Sequence, residues 1–260
     1  ENETLAAFDR LAGMIFDHTG LFVEPFLFTD DSDVVEAMCS DPRRVHIASL
    51  NVFSYVAVHA RGCADVELVE IRFDRPTFSG QILAHADSGI ESLPDLYGKV
   101  FCRPIPSSLS GWLAPRFYLM RAGIDPDSDF SEIVDSGTNN AVVEGIYFGE
   151  CDAGATFVDA RLNIEEEFPD VMEVIKVIGL TDDIPNDGIQ YHPGVSRGLR
   201  DRLNEILLSL SWTEDGINVL ELVFGCEEMV KVDDGIYNAF RGVIEEVGIS
   251  PQELLMENRE

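Results

Sequence analysis

The chain has 260 residues, 45% of them hydrophobic, which is enough apolar material for one large core or two modest ones. Its 48 acidic residues against 18 basic ones give a formal net charge of -30. Such a surface repels polyanions and anionic lipid, so nucleic-acid and membrane-surface binding are excluded, and no apolar run reaches the length that spans a bilayer.

A helical pattern opens almost directly at Glu1, so a signal peptide is not expected there. Residues 5–18 carry apolar side chains at helical spacing (Leu5, Phe8, Leu11, Ala12, Ile15, Phe16), and Gly20 stops the run. A strand is expected over 21–28, a short helix over 33–39, a buried strand over 45–50, a helix over 53–60, and strands over 66–73 and 81–86. A turn-rich stretch with a short helix covers 88–99. The alternation then restarts: strand 100–103, helix 110–122, strand 132–135, helix 140–148, and strands 153–158 and 171–178. After a crossing segment at 184–188, helices are expected over 198–210, 213–222 and 235–247.

Strands alternating with helices argue for an α/β architecture with largely parallel sheets. Two such blocks joined by two chain crossings suggest two lobes. The first lobe takes 1–84 plus 186–260, the second takes 85–185, and the crossings lie near 83–88 and 179–188. In such folds a ligand sits at the carboxyl ends of strands, in the crevice between lobes.

The five cysteines (Cys39, Cys63, Cys102, Cys151, Cys226) form no CxxC pair and are odd in number, so a zinc site is unsupported. They read as scattered buried thiols, with one bridge such as Cys39–Cys63 left open. The histidines (His18, His46, His59, His85, His192) do not cluster in sequence, and no Ser-His-Asp set is present. No catalytic residue, metal or cofactor is therefore expected.

The run Ser107-Ser108-Leu109-Ser110-Gly111-Trp112 after strand 100–103 is a hydroxyl-rich entry to the helix over 110–122. Helix first turns leave N–H groups unpaired at the positive end of the helix dipole, and glycine admits a ligand close to the backbone. The run is thus a candidate oxyanion cradle, since local amides and hydroxyls bind an anion whatever the net charge. The plainer alternative is an N-cap, which needs no ligand.

The stretches DSGIESLPDLYGKVF (87–101), PSSLSGWLAPRFYLMRAGIDP (106–126), GECDAGATFVDAR (149–161) and DIPNDGI (183–189) carry a family resemblance. They are joined by VVEAM (34–38) and VHIASLNVFSYVAV (45–58). The chain resembles the periplasmic substrate-binding proteins of phosphonate and phosphite ABC transporters from about Phe8 to about Leu255. The resemblance implies a two-lobed α/β fold of the periplasmic-binding-protein type II, with mixed sheets and an inter-lobe cleft that closes on a small solute. It also implies a membrane permease as partner, a monomer, and a periplasmic or extracellular location with a lipid anchor as one option. The family has a strand before its first helix where this chain opens at the helix, and a trimmed chain is the expected reason, since the neighbouring edge would otherwise be exposed.

Carried over residue by residue, the family's Ser-Thr-Ser oxyanion grip falls on Ser108, Leu109 and Ser110, so its central hydroxyl is lost. Two family tyrosines fall on Asp31 and Phe78, and a histidine falls on Asn139, which is also a candidate N-cap of helix 140–148. Asp159 and Asp187 match family carboxylates, and Asp159's can face a ligand's amino group; the bland alternative for each is a solvated hinge acid. Trp112 and Tyr191 are candidate aromatic walls, with packing as the alternative for Trp112, and Asn51 is a candidate cap and donor. Tyr55 reads as core. The implied function is an importer's solute-binding protein for a small phosphonate-like or amine-bearing solute. A ligand-sensing module of the same fold and a binder of a cationic or planar non-phosphorus solute are the alternatives; turnover of a bound ligand would mark an enzyme on this fold.

Overall fold

The structure, a computed structural model, describes residues 2–257. The chain begins with α1 (Asn2–Thr19), α2 (Asp31–Cys39), β1 (Ile47–Leu50), α3 (Val52–Ala60), β2 (Asp65–Ile71), β3 (Thr77–Phe78) and β4 (Gly80–His85). It continues with β5 (Val100–Arg103), the wide helical turn Leu109–Leu113 leading into α4 (Ala114–Arg121), α5 (Pro126–Asp129), β6 (Glu132–Asp135) and α6 (Asn139–Tyr147). Then come β7 (Ala153–Phe157), α7 (Val171–Val174), β8 (Ile175–Leu180), β9 (Ile184–Pro185) and β10 (Gly188–Tyr191). The last elements are α8 (Arg197–Ser209), α9 (Glu214–Phe224), β11 (Glu228–Lys231), α10 (Asn238–Glu246) and α11 (Leu254–Glu257). Among the described residues no helix is long and apolar enough to cross a membrane.

Unit 1 comprises Glu1–Thr77 and Pro185–Asn238. Its sheet runs β1-β10-β2-β11, and every neighbouring pair is antiparallel. Leu68, Ile189, Tyr191 and Met229 of the sheet pack with Leu11 and Ile15 of α1, Leu203, Ile206 and Leu207 of α8, and Val219 and Leu220 of α9. These helices each turn one apolar stripe inward, whereas α3 is buried along seven of its residues, Val52–Val58.

Unit 2 comprises Phe78–Ile184 and Ala239–Glu260. Its sheet runs β6-β5-β7-β4-β8. β5 is parallel to β6 and β7, while β4 is antiparallel to β7 and β8. Leu83 and Cys102 from the sheet meet Val142, Val143 and Ile146 of α6 in its core.

Several expectations are corrected. The stretch 21–28 forms no strand, and its Phe22 and Phe26 are exposed. An apolar alternation makes a strand only when another strand takes up its backbone groups, and β1 pairs with β10 alone. The sheets are not largely parallel, because β10 and β11, unexpected from the sequence, enter unit 1 antiparallel to β1 and β2. The expected strand 171–178 splits into α7 and β8, since Asp170 accepts from the amides of Glu173 and Val174 at 2.9 Å and starts a helical turn there.

The first crossing lies at Thr77/Phe78 rather than in 83–88, because Gly80–His85 is a strand held on both sides within the unit 2 sheet. Residues 239–257 also join unit 2, not unit 1; the Phe240 ring lies 6.4 Å from that of Phe117. Four cysteines pair, Cys39–Cys63 and Cys102–Cys151, so scattered free thiols are overturned and Cys226 alone among the described residues is a buried thiol. Its surroundings push that thiol up to about 12, chiefly through burial and the nearby Glu70 charge.

Candidate functional site

The serine run sits where β5 ends and the next helix begins. Ser108 caps that helix: its Oγ accepts from the Gly111 amide at 3.2 Å. Its carbonyl accepts from both the Trp112 and Leu113 amides at 2.9 Å, which widens the first turn. Helix N-termini leave the leading amides without an intrahelical acceptor, and those of Leu109 and Ser110 have none among the described residues. The Ser110 hydroxyl likewise has no hydrogen-bond partner among them. Leu109 is half-buried at the head of the turn.

Two close approaches fix this turn. A Cβ on Gly111 would stand 2.5 Å from Pro104 Cγ and 2.8 Å from Asn139 Oδ1, so packing of its own chain already requires the glycine. A Cβ on Gly80 would stand 2.7 Å from the Ser110 carbonyl oxygen, which brings the start of β4 to the same turn. Asn139 is the first residue of α6; the cap is Thr138, whose Oγ1 accepts from the Ala141 amide at 3.1 Å, which corrects the expected cap. Asn139 Oδ1 accepts from the Phe157 amide at 3.2 Å. That contact fixes the carboxamide and leaves Nδ2 to donate.

Asp159 follows the end of β7, where it caps the turn Ala160–Ile164. Its Oδ1 accepts from Gln81 Nε2 at 3.0 Å, Arg161 Nε at 3.0 Å and the Arg161 amide at 3.1 Å. Its Oδ2 accepts from Arg161 Nη2 at 2.6 Å, while Arg161 Nη1 donates to the Ile175 carbonyl at 2.7 Å. Burial works against the Asp159 charge, but the hydrogen bonds from Arg161 and Gln81 outweigh it and hold the carboxyl below the usual range. The solvated hinge acid expected as one alternative is thus a half-buried, fully engaged group. Gln81 is itself 1% exposed, and its Oε1 has no partner among the described residues. Ser108, Ser110, Asn139 and Asp159 thereby gather at one end of the unit 2 sheet, at the carboxyl ends of β5 and β7.

Unit 1 carries a second cluster. Asn51 caps α3 by accepting from the Ser54 amide at 2.9 Å, and its Nδ2 donates to Asp31 Oδ2, in the first turn of α2, at 2.6 Å. The register Leu50↔Gly188 puts Asn51 and Asp187 at the same end of the sheet. Asp187 is not a free acid: Arg72 Nη2 reaches its Oδ2 at 3.0 Å and also Glu70 Oε2 at 2.6 Å. Two carboxylates thus share one guanidinium. Glu70 is 1% exposed, and burial with the Asp187 charge raises it to about 8 against the opposing pull of Arg72.

The remaining candidates are placed otherwise. Trp112 is buried, with Arg103 4.7 Å above its ring and Phe101 at 6.1 Å, so it packs inside unit 2 instead of forming a wall. Tyr191 is wholly buried in unit 1, and its hydroxyl donates to Asn204 Oδ1 at 2.8 Å. Tyr55 is core, its hydroxyl donating to Asp234 at 2.7 Å. Phe78 is half-buried in β3, which pairs with β9. Sequence reasoning missed Gln81, Glu70, Arg72 and Arg161. Gln81 stands in an otherwise apolar strand run, and a polar group there calls for a partner; Glu70 shares its strand with Asp65 and Glu67, so nothing in the sequence marks it out. Arg161 stands two residues from Asp159 inside a stretch already singled out.

Comparison with known proteins adds an independent finding. A family model described as "ABC transporter, phosphonate, periplasmic substrate-binding protein" matches residues 1–237. The phosphate-import protein PhnD of Mycolicibacterium smegmatis is 30% identical over 162 residues, which cover 58% of this chain and 50% of that protein. The chain therefore spans about half the length of that relative. Among solved structures, XAC2383 from Xanthomonas citri bound to ATP superposes with a TM-score of 0.73 at 20% identity, covering 100% of this chain and 96% of that one. PhnD1 from Prochlorococcus marinus in complex with methylphosphonate gives 0.65 at 15% identity, covering 95% and 94%. These likenesses give the fold: a two-lobed α/β binding protein of type II.

Proposed function

We propose that this chain, which belongs to the family of periplasmic substrate-binding proteins of phosphonate ABC transporters, captures a small phosphorus oxyanion and hands it to a membrane permease. The observation that carries the reading is the Ser108–Gly111 turn. It offers the unengaged amides of Leu109 and Ser110, the Ser110 hydroxyl and the Asn139 carboxamide nitrogen at one end of a parallel strand pair. Such neutral donors hold an oxyanion without a cationic pocket, so a net charge of -30 is no obstacle. The ligands named for two structural neighbours, ATP and methylphosphonate, share that chemistry. The central family hydroxyl is replaced by Leu109, and Ser108 Oγ is engaged in capping the turn, so Ser110 supplies the hydroxyl of this grip.

The reading is of binding without turnover, by a monomer working outside the cytoplasm. Two disulfides support that location, because such bonds persist in oxidising compartments. Calorimetric titration with methylphosphonate and inorganic phosphate tests it. At least one should bind saturably, and Ser110→Leu should weaken it tenfold or more, since hydrogen bonds to charged groups contribute about 1.5–3 kcal/mol. Unchanged affinity in that variant would reduce the serine run to a helix cap.

A further inference from the structure

Resting on the oxyanion reading, we infer that Arg161 is a specificity-determining residue that closes Asp159 to any amine, so the solute is a phosphonate or phosphate without an amino group. A carboxylate recognises an ammonium through free lone pairs, and an ionised one offers about four such sites. Asp159 already accepts from four N–H donors: Gln81 Nε2 and the Arg161 amide, Nε and Nη2. The side-chain pairing is bidentate, the geometry in which guanidinium and carboxylate hold each other most firmly.

The arginine is equally spent. Its Nη1 donates to the Ile175 carbonyl, and its side chain is 11% exposed, so it is not an available cation for the oxyanion either. The pair cancels its own charge. What unit 2 then presents around the serine turn is a set of neutral donors, namely Ser110, Asn139 Nδ2 and the leading amides, while the unpartnered acceptor beside Asp159, Gln81 Oε1, is buried away from solvent. An ammonium brought to this end of the sheet would lose water and find no acceptor at Asp159.

The matched pair ethylphosphonate and 2-aminoethylphosphonate, titrated into the full chain, tests the inference. Ethylphosphonate is expected to bind at least tenfold more tightly, and Arg161→Gln is expected to shift that ratio at least tenfold toward the amine by freeing Asp159. Asp159→Asn, with Asp159→Asn/Arg161→Gln as the variant that leaves no orphaned charge, is expected to leave the wild-type ratio within about threefold. The inference is overturned if the wild-type chain prefers the amine, or if Asp159→Asn alone costs the amine tenfold. Should neither phosphonate nor inorganic phosphate bind the wild-type chain, the oxyanion reading itself fails and this inference with it, an outcome distinct from a reversed ratio.

Discussion

Arg161 grips Asp159 at both ends of the carboxylate, with Nε 3.0 Å from Oδ1 and Nη2 2.6 Å from Oδ2. The side chains are only 11% and 17% exposed, so this ion pair is mostly shielded from water. Removing one partner of a buried pair typically costs roughly 3–5 kcal/mol, because the other charge is left desolvated. With its residual exposure, Arg161→Met should cost about 3 kcal/mol in urea unfolding, at the lower end of that range. Adding Asp159→Asn should restore part of the loss, and a coupling energy of about 0.5–3 kcal/mol from the double-mutant cycle would measure the pair. Strict additivity would show that the two residues do not act together.

Gly111 is tied to Asn139 by space rather than by a hydrogen bond. In Gly111→Ala the new methyl meets Pro104 Cγ at 2.5 Å and Asn139 Oδ1 at 2.8 Å, so one of them must move. Overpacking of this kind costs about 1–3 kcal/mol. The urea midpoint should fall with an unchanged slope, and the Phe157 amide, bonded to Asn139 Oδ1, should exchange its proton faster. Unaltered exchange at Phe157 would mean that Pro104 alone gives way.

Glu70 makes unit 1 sensitive to pH in a direction opposite to that of most carboxylates. It titrates at about 8 in the folded chain against an ordinary 4.5. Between those values the folded state holds a proton that the unfolded state has released. The contribution is therefore complete below about 4.5 and is lost as pH rises through about 8. Glu70→Gln, which keeps the neutral shape, should lose stability less steeply over that window. The difference in urea midpoint between variant and wild type should grow steadily in the variant's favour from the acid to the alkaline end. A difference that stays constant with pH would show that Glu70 remains ionised throughout, held by Arg72 at 2.6 Å.

Much of the fold was legible because local chemistry spells it. Strands 100–103 and 132–135 are found at their expected limits, and the helix expected over 110–122 runs through the wide turn and α4. Gly20 ends α1 with a φ of 70°, as its position predicts. The stretch 21–28 was misread because a strand is a pairing and not a property of one segment. β10 and β11 were not expected either, and they too exist through their pairing with β1 and β2.

At the candidate site the amino-acid sequence by itself determined the serine turn, the leucine in its middle and the family to which the chain belongs. Residue types, their order and the helix-start chemistry are all local, so they survive in a string of letters. Only the tertiary structure decided which carboxylates are engaged. Gln81 lies 78 residues from Asp159 along the chain, and Arg72 lies 115 from Asp187, yet each pair is in hydrogen-bond contact. The availability of a charge depends on what surrounds it in space, and that is set by sheet register and packing across such separations.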